Sequence, residues 1–393
     1  MSRADSVKAY IYYYGRRGWY NEIVAYCDGI MARKGKEPTA IFWKAFGLGM
    51  SQGLERARQE LEVFHNRRDL QLPVTVALLY FAKEERDGDV EFINSLEAEM
   101  TVAEEMAKDA GLIMAARFCL LTGDLYRASK FSQKILQACS GSPSTPFEME
   151  AQTVDGWVAV HEGKLQLEES ETRSTDEIGT TTYRRLQAIE DLVRGRGEQF
   201  DVDMLMLHAA SRDLLGESSD LLSIYGQVIA IYPQFVPVLA EKSLLLAKMN
   251  EWDQALDFAQ RALDVDRDYY DALLVVAVHA FTQESQPQDA LRKLDDLYNA
   301  YVAKEPTSVR LATEASSVFS AICARQPRAL EVCVKFLNHA KHYTRNDAQK
   351  AALLCKLGQV HFLQGIGGYE RAMNCFKDSS KIDPHCIGAL EVR

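Results

Sequence analysis

Glycine recurs every 35 residues in the first third of the chain, at Gly18, Gly53, Gly88 and Gly123. Each is followed four or five residues later by a small or branched apolar residue: Ile23, Ala57, Ile93 and Ala128. The beat returns downstream, where Leu221, Ala255 and Ala290 stand 34 and 35 residues apart after Gly216, Asn250 and Ser285. A fixed period of this length means stacked units that bury their apolar faces only against their neighbours.

Such a unit is two antiparallel helices joined by a tight turn. Helices approach closely only where the side chains at the crossing are short. The positions seven residues before the turn residue fit this, with Ala116, Gly156, Ala209 and Ser243, while Ile11 is an exception. Ala128, Ala255 and Ala290 answer from the partner helix. Glycine at the turn supplies the left-handed backbone that ends the first helix. These are tetratricopeptide-repeat positions, and the sequence predicts an all-α, superhelical tetratricopeptide-repeat solenoid of about ten helix-turn-helix units.

The units are expected near 7–31, 40–64, 73–100 and 103–138, then at a fifth pair around Trp157 and Gly163. In the fifth the phase breaks, and its second helix is placed at Arg184–Val193. The intervening Glu168–Thr182 is acidic and rich in Ser and Thr, so a polar surface loop is expected there. Three well-preserved units follow over 201–303, a ninth at 308–341 and a tenth around Leu357, Gly358, Gly365, Ala372 and Phe376. The organisation reads as repeats over 1–163, an inserted loop over 164–183, further repeats over 184–384, and the start of another helix over 385–393. That last helix has no cap after it, which predicts either a longer polypeptide or a partner covering the end.

Most of the 10 prolines fall near unit boundaries, including Pro38, Pro73, Pro143, Pro146, Pro233, Pro306 and Pro384. A net charge of -11 and a pI near 5.4 argue against nonspecific nucleic-acid binding, which needs clustered Lys and Arg. The eight cysteines form no CxxC pair, and several, such as Cys119, Cys333 and Cys375, sit on apolar helical positions. Reduced thiols of an intracellular protein are expected. No signal core or membrane-length apolar run is present, the longest run being Leu273–Phe281, so a soluble cytoplasmic protein is predicted.

Nothing in the sequence points to catalysis, a metal or a cofactor. Gly47, Gly49 and Gly53 spell GxGxxxG within a helical phase rather than GxGxxG after a strand. His339 and His342, and His385 with Cys386, lack further ligands at metal spacing and read as solvated. Buried cysteines read as inert. Arg194-Gly195-Arg196-Gly197 reads as a linking loop or as a contact for an acidic group.

A repeat array offers a surface instead. If the first helices line the concave side, they present Tyr12, Arg16, Arg117, Trp157, His161 and Lys248 as candidate protein-binding residues. The competing reading packs Trp157 and Tyr12 between neighbouring helices. A chaperone-type carboxylate clamp is not expected, because the position that needs Asn holds Tyr12, Arg117, Trp157, Ala210 and Leu244.

Several stretches are more particular. Tyr232-Pro233-Gln234-Phe235-Val236-Pro237, Glu251-Trp252-Asp253-Gln254 and Ala259-Gln260-Arg261 are accompanied by the aromatic opening Ile11-Tyr12-Tyr13-Tyr14 and by Ala77-Leu78-Leu79-Tyr80. Together they resemble the N-terminal region of the tetratricopeptide repeat protein 21 family, with Tyr232–Asp266 the most specific part. The acidic insertion and the third unit depart from that pattern. The resemblance implies a non-enzymatic scaffold of intraflagellar transport complex A in cilia or flagella, serving retrograde transport and the entry of membrane proteins. It also implies further repeats beyond this chain, and as partners the other complex A subunits, built from WD40 propellers and helical repeats, with neighbouring complexes of the train. The alternative is a general peptide-binding adaptor of the ubiquitin-ligase or chaperone type. A third reading is a regulatory arm of an enzyme.

Overall fold

The computed structural model describes residues 3–64, 67–85, 88–139, 146–169, 178–194, 201–283, 286–324, 326–344 and 346–384. Ser285, the Gly195–Gly197 part of the basic stretch, His385 with Cys386 and the last expected helix lie outside them. Among the described residues the chain is all α, without a strand.

Residues up to Ile231 form one compact unit, and those from Tyr232 form another. The first unit holds α1 (Arg3–Arg17), α2 (Tyr20–Lys34), α3 (Pro38–Gln52), α4 (Leu54–Leu61), α5 (Gln71–Glu84) and α6 (Val90–Met106). It continues with α7 (Asp109–Thr122), α8 (Leu125–Cys139), α9 (Pro146–Glu169), α10 (Thr180–Arg194), α11 (Val202–Leu214) and α12 (Ser218–Ile231). The second unit holds α13 (Val236–Lys248), α14 (Trp252–Val265), α15 (Tyr270–Thr282) and α16 (Pro287–Lys304). It closes with α17 (Val309–Ile322), α18 (Pro327–Ala340), α19 (Asp347–Leu363) and α20 (Tyr369–Ile382). Each odd-numbered helix packs against the even-numbered one that follows it, giving ten pairs in sequence order among the described residues.

Local chemistry sets the helix ends. Gly18, Gly53, Gly123, Gly216 and Gly365 all adopt positive φ after a first helix, and Asn250 does the same at φ 64. Asparagine visits that region more easily than other non-glycine residues. Gly88 departs from the expected role: it is not among the positive-φ glycines, and its place is set by space. A Cβ there would lie 2.6 Å from the Ala82 carbonyl oxygen. The cap comes from Asp89, whose carboxylate accepts from the backbone N–H of Glu91 at 2.9 Å. Pro38, Pro287 and Pro327 occupy first-turn positions, where their missing N–H costs nothing.

Two boundaries differ from the expected ones. Ala103 is a buried residue of α6, not the start of the fourth pair, which begins at Asp109. Gly163 is not a turn. It lies inside the 24-residue α9, where a Cβ would stand 2.7 Å from Leu214 of α11, so its small size serves packing. The second helix of that pair starts at Thr180 rather than Arg184, so helix takes over both ends of the expected loop.

Small residues do sit at the crossings, and three are serines with buried hydroxyls. Ser243 donates to the Ala255 carbonyl at 2.7 Å, joining α13 to α14. Ser316 does the same to Cys333 at 3.1 Å between α17 and α18, and Ser379 to Ala351 at 2.8 Å between α20 and α19. A backbone carbonyl already bonded within its helix has a second lone pair for this contact. Gly47 and Gly49 act in the same way: a Cβ at 47 would stand 2.7 Å from the Tyr20 carbonyl, and one at 49 would enter the Phe81 ring.

Candidate interaction site

The first helices of the first unit do more than line up beside one another. α5 packs on α7, α7 on α9 and α9 on α11, while α1 reaches across to touch both α7 and α11. The first pair therefore contacts the fourth and the sixth, and the inward faces of these helices meet. Phe118 of α7 is fully buried there, with ring centroids at 5.5 Å from Phe46, 6.1 Å from Phe42, 5.8 Å from Tyr80 and 6.0 Å from Phe81. Edge-on aromatic packing of this kind adds about 0.5–1.5 kcal/mol per pair beyond the area it buries.

Beside that cluster lies a polar centre. Arg16 of α1 forms an ion pair with Asp203 Oδ1 of α11 at 2.7 Å, and Arg117 of α7 bonds Asp203 Oδ2 at 2.5 Å. The Arg16 guanidinium carbon stands 3.8 Å from the ring centroid of Trp157 on α9, and that of Arg117 stands 4.3 Å from the ring of Tyr12. Side-chain exposure is 10% for Arg16 and 1% for both Arg117 and Asp203. Among the described residues, Arg16 Nη1, Arg117 Nε and Nη2 and Trp157 Nε1 are buried without a hydrogen-bond partner. Both guanidinium groups lie against aromatic faces, and their charge takes favourable π contact there in place of an oxygen.

Two buried cations share one carboxylate, and that sharing sets the direction in which each group is shifted. Burial pushes the Asp203 carboxyl up, but the charges of Arg16 and Arg117 outweigh it and leave it below its ordinary value. Burial pulls Arg117 down, and Asp203 and Tyr12 reverse that to a net upward shift. For Arg16 burial wins over Asp203 and the direction is down, although a guanidinium remains protonated. Asp201, the N-cap of α11, is pushed up to about 6 by burial and then by Asp203. His161, one turn beyond Trp157, is pulled down to about 4 by burial, Lys164 and Arg16, so it is neutral near pH 7.

Five of the six candidate contact residues thus belong to the first unit. Tyr12, Arg117 and Trp157 pack between helices, Arg16 is nearly enclosed, and His161 is half-buried beside it. Lys248 is in the second unit, exposed at the end of α13. Sequence reasoning missed Asp203. Its signal is a lone carboxylate inside the apolar run Val202–Leu207, masked because an acid in the first turn of a helix needs no tertiary explanation.

Elsewhere, His342 is exposed but His339 is wedged between rings, with centroids 5.5 Å from both Tyr301 and Tyr343. Among the described residues no group of three His, Cys, Asp or Glu side chains is placed to hold a metal ion. None of the described helices is long and apolar enough to cross a membrane. The second unit carries an open groove of about 470 Å³ between α16 and α18, where Arg292, Arg328 and Lys335 alternate with Asp295, Asp296 and Glu331.

Paired helices in register, joined by glycine turns and packed on their neighbours, define a helical-repeat protein. The family model for the tetratricopeptide repeat protein 21 N-terminal ARM repeat matches residues 11–256, and that for the second ARM domain of the same protein matches 292–390. The chain belongs to the tetratricopeptide repeat protein 21 family. Tetratricopeptide repeat protein 21B of Mus musculus is 25% identical over 365 residues, covering 92% of this chain and 26% of its own length. Tetratricopeptide repeat protein 21A of Mus musculus is 25% identical over 391 residues, covering 99% and 28%. The chain thus spans roughly a quarter of the length of these relatives. A crystal structure of a tetratricopeptide repeat protein from Parabacteroides merdae ATCC 43184 aligns at 17% identity with a TM-score of 0.43, over 72% of this chain and 96% of that one.

Proposed function

We propose that this chain is a non-enzymatic scaffold of intraflagellar transport complex A, working in the cytoplasm at the ciliary base and within the cilium or flagellum. It supports retrograde transport and ciliary cargo entry through contacts with the other complex A subunits and with neighbouring parts of the train. The observation that carries this reading is family membership, since two family models together match most of the chain. The construction agrees with it: a row of helix pairs holds side chains at fixed spacing and bends by small changes between neighbours.

The adaptor reading needs an open concave groove. In the first unit the inward residues Tyr12, Arg117 and Trp157 are buried between helices, which, while α1 is in place, favours partners docking on outward-facing helices and turns. A net charge of -11 suits basic partner segments, and their binding is expected to weaken as salt rises. The test is capture of the protein from ciliated cells with cross-linking and mass spectrometry. Cross-links to transport-train subunits are expected; recovery of chaperones alone would overturn the scaffold reading in favour of the adaptor.

A further inference from the structure

Lys8, Tyr12 and Arg16 stand at i, i+4 and i+8 of α1, one stripe along a single helical face. That stripe meets α9 at its first step, α7 at its second, and α11 together with α9 at its third. Lys8 Nζ lies 2.7 Å from Glu150 of α9; the Tyr12 ring receives Arg117 of α7; Arg16 reaches Asp203 of α11 and lies over Trp157 of α9. The α1 backbone comes close at the same face, for a Cβ on Gly15 would stand 2.7 Å from Leu121 of α7. The opposite face belongs to α1's own pair, where Tyr10 meets Tyr26 of α2 with centroids 4.9 Å apart.

This is how an amphipathic helix occupies a groove, with anchors one turn apart falling into successive subsites. The anchors here are charged and aromatic rather than aliphatic. Their ionic contacts exchange for water when the helix leaves, while the buried Ile11, Tyr13 and Tyr14 set the cost of leaving. The geometry points to α7, α9 and α11 forming a helix-binding groove that α1 fills as an intramolecular strap, and to a partner helix with a basic residue, an aromatic residue and an arginine at four-residue intervals as the competing ligand. This inference is independent of which assembly the scaffold joins.

Hydrogen exchange on the whole chain is the first measurement. The amides of α1 are expected to exchange at least about tenfold faster than those of α7, α9 and α11, through an opening that leaves the latter protected. Equal protection of all four helices would overturn the strap. In the second experiment Arg16→Glu places a carboxylate against Asp203, and the probe is a synthetic peptide of residues 3–18 with its native sequence. The peptide is expected to bind the variant saturably, and the same peptide with Arg16→Ala about tenfold or more weakly. Absence of saturable binding, or equal binding of both peptides, would sink the groove. Should the charge reversal unfold the first unit, excess native peptide added to the wild-type chain must accelerate exchange in α1, and unchanged exchange would count equally against the proposal.

Discussion

Arg16 and Asp203, contributed by the first and the sixth helix pair, meet at 2.7 Å with side chains 10% and 1% exposed. Removing the carboxylate leaves two enclosed guanidinium groups without the counter-charge that touches them both, which costs about 3–5 kcal/mol. Asp203→Asn is therefore expected to lower the urea midpoint of the first unit by that equivalent. Arg117→Met, which leaves one cation for one anion, is expected to cost less. Equal losses from the two variants would mean that packing rather than charge balance governs the centre.

The same centre holds two groups whose pH responses oppose each other. Asp201, raised to about 6 in the fold from 3.8, binds its proton more tightly when folded, so its contribution is fully present below pH 3.8 and is lost as pH rises through 6. His161, lowered to about 4 from 6.5, is held neutral by the fold, so stability is lost as pH falls from 6.5 towards 4. Each effect is on the order of 3 kcal/mol and their windows overlap. Asp201→Asn is expected to unmask the histidine, giving a steeper fall in urea midpoint between pH 6.5 and 4.5 than wild type shows. An unchanged slope would be the contrary result.

Ser243 occupies a crossing too tight for a larger residue, with its hydroxyl bonded to the Ala255 carbonyl. Ser243→Ala is expected to cost about 1 kcal/mol for the lost bond. Ser243→Leu is expected to cost at least 1–3 kcal/mol, roughly the penalty of overpacking, because α13 and α14 must separate. Thermal unfolding of the two variants separates these effects.

Gly216 lies at φ 77 with nothing within 4 Å of a notional Cβ. Substitution there probes the backbone alone: Gly216→Ala is expected to cost about 1–2 kcal/mol, and Gly216→Asn clearly less. Asn250 at φ 64 already makes that choice in the next turn of this type. Chemical denaturation of the pair of variants checks the order.

Burial holds the Cys27 and Cys333 thiols up at about 12 and Cys323 at about 11, and raises Cys119 as well. Thiolate is the reacting form. At pH 8, iodoacetamide is expected to modify the half-buried Cys139 well ahead of these four, with all reacting at similar rates in denaturant. Peptide mass spectrometry reads the order, and early labelling of Cys27 would contradict it.

The helix pairs were legible because period and turn chemistry are local properties: Gly18, Gly53, Gly123 and Gly216 sit in left-handed turns as their spacing implies. Gly163 misled for a reason that is not local, since its small size serves Leu214 of another pair. The inward residues Tyr12, Arg16, Arg117, Trp157 and His161 were also readable, from repeat phase. Their mutual contact was not, because phase says which face a residue occupies and nothing of what closes over that face. Asp203 shows the limit most plainly, as its two partners come from helices far away in the chain.

In an open row of repeats, trimming the end removes one increment of stability and little else. Here the N-terminal helix is fastened to the sixth pair through Arg16 and Asp203, so the sequence ends of the first unit are mechanically joined. Loss of α1 would pass over the second and third pairs and uncover the inward faces of α7 and α11, far from the lesion along the chain.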